Sequence, residues 1–98
     1  MSDGEERITI NLAKLFPEAA RRVEILEDLQ KTWAKVVGAA LVRHSLPYNL
    51  GINEISIKVD SPQVANMLKK MKGNVLRALN TRYGYESEGD FILKVTQV

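Results

Sequence analysis

The residues best suited to bind a ligand are basic side chains, with an asparagine and a glycine among them, clustered in the second half of the chain. Ammonium and guanidinium groups bind phosphate oxygens, and a glycine among them can leave backbone N–H groups open to the same anion. The spacing therefore predicts a surface that contacts a nucleic-acid backbone. The candidate contacts lie within nine positions and are Lys69, Lys70, Lys72, Gly73, Asn74 and Arg77.

The charge of the whole chain, +2, hides an uneven distribution. Residues 1–28 carry a net charge of −3, residues 29–82 carry +7, and residues 83–98 carry −2. A basic block of this kind attracts polyanions. A lysine-rich surface that is simply solvated has the same composition, and this alternative stays open at the level of sequence.

Recognition of unpaired bases needs exposed aromatic rings as well as charge. Tyr48 falls in a predicted hairpin and is the best candidate for stacking. Tyr83 is interpreted as a core residue and Tyr85 as a loop residue.

Other chemistries find little support. His44 is the only histidine and has no carboxylate near it in sequence, and the chain has no cysteine. A protein-only zinc site and a thiol nucleophile are thereby disfavoured. No glycine-rich phosphate-binding motif is present, and Glu24, Glu27 and Asp28 are typical of a solvated helix face. We expect no enzyme activity, no cofactor or metal, and no small-molecule substrate.

Length and composition indicate an ordinary globular chain. With 98 residues and 45% hydrophobic content, it is expected to form one domain over residues 16–98, preceded by a loosely ordered arm over residues 1–15. No apolar run is long enough to cross a bilayer, and the polar, acidic start is unlike a secretory signal. A cytoplasmic protein without a membrane partner is the expectation.

Periodicity predicts the elements that position these residues. Apolar residues at three- and four-residue steps predict a helix from Pro17 to about Gly38, or one turn further to Leu41. An extended segment over 42–50 follows, and Pro47 within it predicts an edge strand or a bulge. Clean alternation over residues 52–60 predicts a second strand, paired with the first as an antiparallel hairpin.

The remaining third predicts more helix and a last strand. Ser61 is expected as an N-cap, and helical spacing then runs to Tyr83, interrupted at Gly73. One kinked helix, or two short helices meeting near residues 72–74, would both satisfy the pattern. With a final strand over residues 90–98, the fold class is α+β, with helices packed on one face of a three-stranded sheet.

The only tryptophan, Trp33, lies on the apolar stripe of the first helix, one turn before its end. Large aromatic side chains at helical spacing are usually core residues. We therefore expect Trp33 to pack beneath the hairpin and to anchor the helix to the sheet.

Two stretches carry a resemblance to a known family. The first is W-x-x-V-V-G, residues 33–38, followed by H-S-x-P-x-x-L, residues 44–50, and by a strand with the sequence ISIKV. The second is SPQVANMLKKMKGNVLRALNTRYG, residues 61–84. Together they resemble the DciA family of bacterial partners of the replicative DNA helicase, over roughly residues 26–96, with Trp33, Gly38 and Pro47 as structural motif residues.

The resemblance implies a domain similar to the type II K-homology fold, with element order α-β-β-α-α-β. In K-homology domains that bind nucleic acid, a G-x-x-G loop clamps the backbone. The matching stretch here, KMKGN, has a single glycine, Gly73, so electrostatic contacts from the neighbouring cations would carry more of the binding.

The functional expectation is a nucleic-acid-binding adaptor. The resemblance implies binding to the DnaB-type replicative helicase and assistance in loading it on single-stranded DNA, without nucleotide hydrolysis by this chain. Two alternatives remain open: an RNA-binding module in ribosome or transcript handling, and a purely structural interaction domain.

Overall fold

The computed structural model describes residues 14–98. Its helices and strands follow one another in the order α-α-β-β-α-α-β, and the second helix is a single short turn. The elements are α1 (Pro17–Val37), α2 (Ala39–Val42), β1 (Ser45–Leu50), β2 (Glu54–Val59), α3 (Pro62–Lys69), α4 (Lys72–Tyr83) and β3 (Ile92–Gln97).

The three strands form one mixed sheet in the order β1-β2-β3. β1 and β2 pair antiparallel as the predicted hairpin, and the Gly51 N–H donates to the Glu54 carbonyl at 2.7 Å across the turn. β3 returns parallel to β2, as expected when helices connect the two strands. The edge strand β1 has a register shift between Pro47 and Asn49, so both predictions made from Pro47 are confirmed.

α1, α2 and α3 pack against one face of the sheet, and α4 packs against α1. Ile55, Ile57 and Val59 alternate along β2 and are at most 1% exposed, whereas Lys58 between them is exposed. The mixed α+β class and the three-stranded sheet are therefore confirmed. The likeness to a K-homology domain stays a prediction.

The first helix buries a single narrow stripe of apolar residues. Ile25, Leu29, Trp33 and Val37 recur every four residues and are all buried. Val23, which also fits a helical period, is 55% exposed because it lies off that i, i+4 row. The helix starts at Pro17, where the missing N–H of proline is not needed.

Trp33 joins this helix to the sheet, as predicted. Its side chain is 1% exposed, and the indole Nε1–H donates to the Ser45 hydroxyl at 2.8 Å. That hydroxyl in turn donates to the Leu41 carbonyl at 2.6 Å. Ser45, the first residue of β1, thereby connects the strand to α1 through Trp33 and to α2 through Leu41.

Gly38 ends α1 and starts α2. Its φ of +92° and ψ of 163° are almost exclusive to glycine, so the chain can turn there before Ala39 resumes a helical conformation. Both predicted helix ends are therefore partly right: α1 stops at Val37, and one further turn runs to Val42.

The C-terminal loop between α4 and β3 contributes two aromatic residues to the core. Tyr85 and Phe91 are buried and meet edge to face, with ring centroids 5.9 Å apart. The Tyr85 hydroxyl donates to the carbonyls of Gly51 and Ile52 at 3.0 and 2.9 Å. Tyr85 is thus a loop residue as predicted, but it also fastens the loop to the hairpin turn.

The predicted single domain over residues 16–98 stays a prediction. The predicted N-terminal arm over residues 1–15 lies outside the described residues except for its last two positions.

Candidate nucleic-acid interface

The predicted contact residues surround the junction between α3 and α4. Lys69 is the last residue of α3, Lys70 closes that helix, and α4 begins at Lys72. Met71 leaves the helical path with φ −98° and ψ 11°, and its N–H donates to the Leu68 carbonyl at 2.9 Å. We call the predicted set the basic turn: Lys69, Lys70, Lys72, Gly73, Asn74 and Arg77.

The helix break lies earlier than the sequence predicted. It falls at Lys70–Met71, and Gly73 is the second residue of α4 with a φ outside the positive range. Of the two arrangements that the sequence left open, two short helices are confirmed, and they meet slightly before residues 72–74. The reason is local: Lys70 keeps right-handed helical angles (φ −74°, ψ −15°), so the chain closes α3 with a tight turn that needs no glycine.

The side chains of the basic turn are open to solvent. All six residues of the set are exposed. Among residues 14–98, no carboxylate lies within 4.0 Å of its lysines or its arginine; the ion pairs found there are Arg21–Glu24, His44–Asp60 and Lys94–Glu54. The four positive charges of the turn are thus not compensated by acidic side chains of the described chain.

The start of α4 adds backbone donors to these charges. Met71, the N-cap residue, provides no side-chain cap, and the first N–H of the helix with an i−4 partner belongs to Val75, which bonds Met71 at 2.9 Å. The N–H groups of Lys72, Gly73 and Asn74 therefore have no partner within the helix and sit at the positive end of its dipole. A Cβ at Gly73 would meet no atom within 4 Å, so no other element crowds this residue.

Arg77 extends the same surface along the helix. It lies one turn after Gly73, about 6 Å further along the axis, on the side opposite the buried Val75 and Leu79. Together the lysines, the free amides and Arg77 form a donor-rich strip that suits successive phosphate groups.

Tyr48 lies away from the basic turn. It is the extra residue of the β1 bulge and is 38% exposed on the face of the sheet that the helices leave open. The Lys58 ammonium lies 4.8 Å from the centre of its ring, in a cation–π arrangement. A hydrogen bond with the Thr96 hydroxyl is the main cause that lowers the Tyr48 pKa, with further lowering from Ser56, Lys58 and Lys94. The structure therefore does not bring Tyr48 together with the basic turn.

Tyr83 and His44 have partners that the sequence did not indicate. Tyr83 is half-buried, and its hydroxyl donates to Asp28 Oδ2 at 2.6 Å, joining α4 to α1. Burial, followed by this bond, raises the Tyr83 pKa. His44 Nδ1 lies 2.7 Å from Asp60 Oδ2 across the open end of the hairpin, with both side chains half-exposed.

A surface cleft of about 480 Å³ lies between the start of α1 and the end of α4. Arg21, Arg22, Tyr85, Glu86 and Glu88 are among the residues that line it. None of the predicted site residues borders this cleft. In the part of the chain from residue 14 onward, His, Asp and Glu side chains form no group of three that could hold a metal ion.

The surroundings of Tyr48 are the main feature that sequence reasoning missed. The alternation of β2 places Lys58 opposite the core, which was a usable signal. The bulge and the parallel return of β3, which bring Lys58 and Thr96 beside the ring, depend on pairings that no local pattern specifies.

The fold and the site together define a small α+β domain that presents a cationic helix junction. The family model described as "Dna[CI] antecedent, DciA" matches residues 9–89, and the chain belongs to this family. Membership implies a role related to loading of the replicative helicase DnaB, since this is a family of helicase loaders and adaptors rather than a known enzyme family. No curated protein matches the chain. None of the helices over residues 14–98 has the length and apolarity needed to span a membrane.

Proposed function

We propose that this chain is an adaptor that binds the DnaB-type helicase and assists its loading on single-stranded DNA, which it contacts through the basic turn. The supporting observation is the α3–α4 junction. There, exposed cations without carboxylate partners among the described residues surround the uncapped start of a helix. Family membership supports the helicase partner.

The basic turn is suited to a backbone rather than to base edges. Its lysines are flexible point charges, and the amides at the start of α4 are fixed donors, so phosphate oxygens can be held without regard to sequence. Arg77 adds the one planar guanidinium. We therefore expect DNA binding with little sequence preference and with strong dependence on salt.

The element order supports a K-homology-like domain. Apart from the short helix α2, it is the α-β-β-α-α-β order of the type II fold. In this proposal the α3–α4 junction has the position of the G-x-x-G loop, and Lys70 and Lys72 replace the clamp that the missing glycine would form. Such a role on the replicative helicase would be carried out in the bacterial cytoplasm.

The helicase and DNA roles are separable by experiment. Purified DnaB from the same host, mixed with tagged chain, should be recovered as a complex in a pull-down. Lys70→Ala/Lys72→Ala should still recover the helicase but should deliver less labelled single-stranded DNA to it. Failure of the well-folded wild-type chain to recover the helicase would contradict the adaptor role, and competition with RNA of the same sequence tests the RNA-binding alternative.

A further inference from the structure

The face of the sheet that the helices leave open is a second surface with defined chemistry. The strand residues that point away from the core include Tyr48, Lys58, Lys94 and Thr96, all exposed. Ser56 belongs to the same face but is only 5% exposed, and its hydroxyl helps to lower the Tyr48 pKa. Polar side chains and one aromatic ring thus outnumber the aliphatic residues on this face, whereas a covered sheet face would be mainly apolar.

Tyr48 is presented by a backbone irregularity. Because it is the extra residue of the bulge, Tyr48 and Asn49 both point outward, whereas a regular strand would turn one of them to the core. Such bulges often re-aim a side chain for a function. The Lys58 ammonium lies over the ring, 4.8 Å from its centre, and Thr96 lies close enough to its hydroxyl to lower the Tyr48 pKa.

The charge of this face favours an anion. Lys58 has the Tyr48 ring as its neighbour, and no carboxylate within residues 14–98 lies within 4.0 Å of its ammonium. Lys94 meets Glu54 at 3.8 Å in a largely exposed pair, which solvent and salt weaken. Glu54 is the one acidic residue within the three strands, against two lysines.

The apolar residues of this face do not form a protein-docking patch. Leu46 and Ile92 are 48% and 47% exposed, but Leu46 pairs with Lys58 and Ile92 pairs with Glu54. Lys58 and Glu54 are four residues apart on β2, about 13 Å, so the two apolar side chains lie at opposite ends of the sheet. An aromatic ring between lysines, with hydroxyls beside it, instead matches the sheet platforms that stack unpaired bases.

We propose that the open face of the sheet is a second single-stranded nucleic-acid site, where one base stacks on Tyr48 and the adjoining phosphates contact Lys58 and Lys94. This inference rests on the proposed nucleic-acid-binding function but uses none of the residues of the basic turn. The two surfaces lie on opposite sides of the sheet. A long single-stranded nucleic acid can therefore bind both surfaces at once, whereas a short oligonucleotide binds one at a time.

The test is binding of an oligothymidine of about eight nucleotides to the full-length chain, followed by fluorescence anisotropy at low salt. Tyr48→Ala should weaken binding at the sheet face about 5- to 150-fold, whereas Tyr48→Phe, which keeps the ring, should stay within about twofold of its parent. Because the basic turn also binds the oligomer, both variants are measured in the Lys70→Ala/Lys72→Ala background. Amide shift mapping on the wild-type chain should show responses at Tyr48, Lys58 and Thr96.

The possible results separate this inference from the proposed function. If Tyr48→Ala binds like its parent while Lys70→Ala/Lys72→Ala alone weakens binding, the sheet site is overturned and the basic turn stands. If wild type does not bind the oligomer at all, both are overturned. If the sheet amides respond to the helicase and not to the oligomer, the face is a protein-binding surface and the inference is likewise overturned. Circular dichroism of Tyr48→Ala guards against loss of fold, and Tyr48→Phe and the shift mapping do not depend on that variant.

Discussion

Replacing Ser45 with alanine tests how α1 is held to the sheet. In the native structure the Ser45 hydroxyl accepts from Trp33 Nε1 at 2.8 Å and donates to the Leu41 carbonyl at 2.6 Å. Ser45→Ala leaves the buried indole N–H without a partner, which costs about 1–3 kcal/mol. The Leu41 carbonyl still accepts a hydrogen bond from the His44 N–H at 3.1 Å, so its lost bond to the serine adds little to this cost. We therefore expect a loss of about 2 kcal/mol in the free energy of unfolding.

A double-mutant cycle with Trp33→Phe isolates this interaction. Phenylalanine has no N–H to orphan, so Ser45→Ala in the Trp33→Phe background should cost about 1 kcal/mol or less, which gives a coupling of about 1–2 kcal/mol. Urea unfolding followed by far-ultraviolet circular dichroism applies to all four proteins, including those without tryptophan. Ser87→Ala, which removes a hydrogen bond to the Gly89 carbonyl in an exposed loop, is the control and should cost less than about 0.5 kcal/mol. Additive effects within about 0.3 kcal/mol would refute the proposed role of the serine.

Three further predictions concern glycines and tyrosines. Gly38→Ala should destabilise the chain by about 1–3 kcal/mol, because its φ of +92° is strained for any L side chain although nothing lies within 4 Å. Gly73→Ala, equally uncrowded but helical, should instead stabilise it by up to about 1 kcal/mol; urea midpoints that move in the same direction for both variants would contradict this contrast. Burial raises the pKa of Tyr83 and of Tyr85, so their stabilising contribution is complete below the unfolded pKa near 10 and is lost as the pH rises through the higher folded values. Unfolding midpoints measured from pH 8 to 12 should fall above about pH 10 and fall less steeply in Tyr83→Phe, whereas identical slopes would contradict the assignment.

The hairpin and the first helix were readable from sequence because their signals are local. Alternation over Ile55, Ile57 and Val59 fixes the buried face of β2, and Pro47 can occupy only an edge or a bulge. The role of Trp33 was likewise predictable, since a large aromatic side chain on the apolar stripe of a helix usually packs in the core.

The helix junction shows where local reasoning fails. Glycine is a common helix interrupter, so Gly73 suggested the break, yet the chain closes α3 at Lys70 with ordinary right-handed angles. The sequence could identify the six residues of the basic turn but not their arrangement around the open start of α4. That arrangement depends on how α3 and α4 each bury their own apolar residues, Leu68 and Val75, in the common core.

Side-chain contacts between distant parts of the chain could not be predicted from the sequence for a different reason. Ser45 beneath Trp33, Asp28 beside Tyr83 and Lys58 over Tyr48 are pairs set by the packing of separate elements. Their side chains carry no pattern that distinguishes them from other serines, aspartates and lysines of the chain. Tyr48 was correctly placed in the hairpin, but the side of the sheet on which it lies became clear only with the bulge.

The most direct test of the basic turn is the salt dependence of single-stranded DNA binding. If the wild-type chain neutralises about three phosphates, the logarithm of the binding constant should fall with the logarithm of salt concentration with a slope near −2, and Lys70→Ala/Lys72→Ala should move it about 1.4 towards zero. Lys31→Ala/Lys35→Ala removes the same charge from exposed positions on α1 and should leave the slope nearly unchanged. Equal slopes for the two double variants, or a wild-type affinity indifferent to salt, would contradict the account.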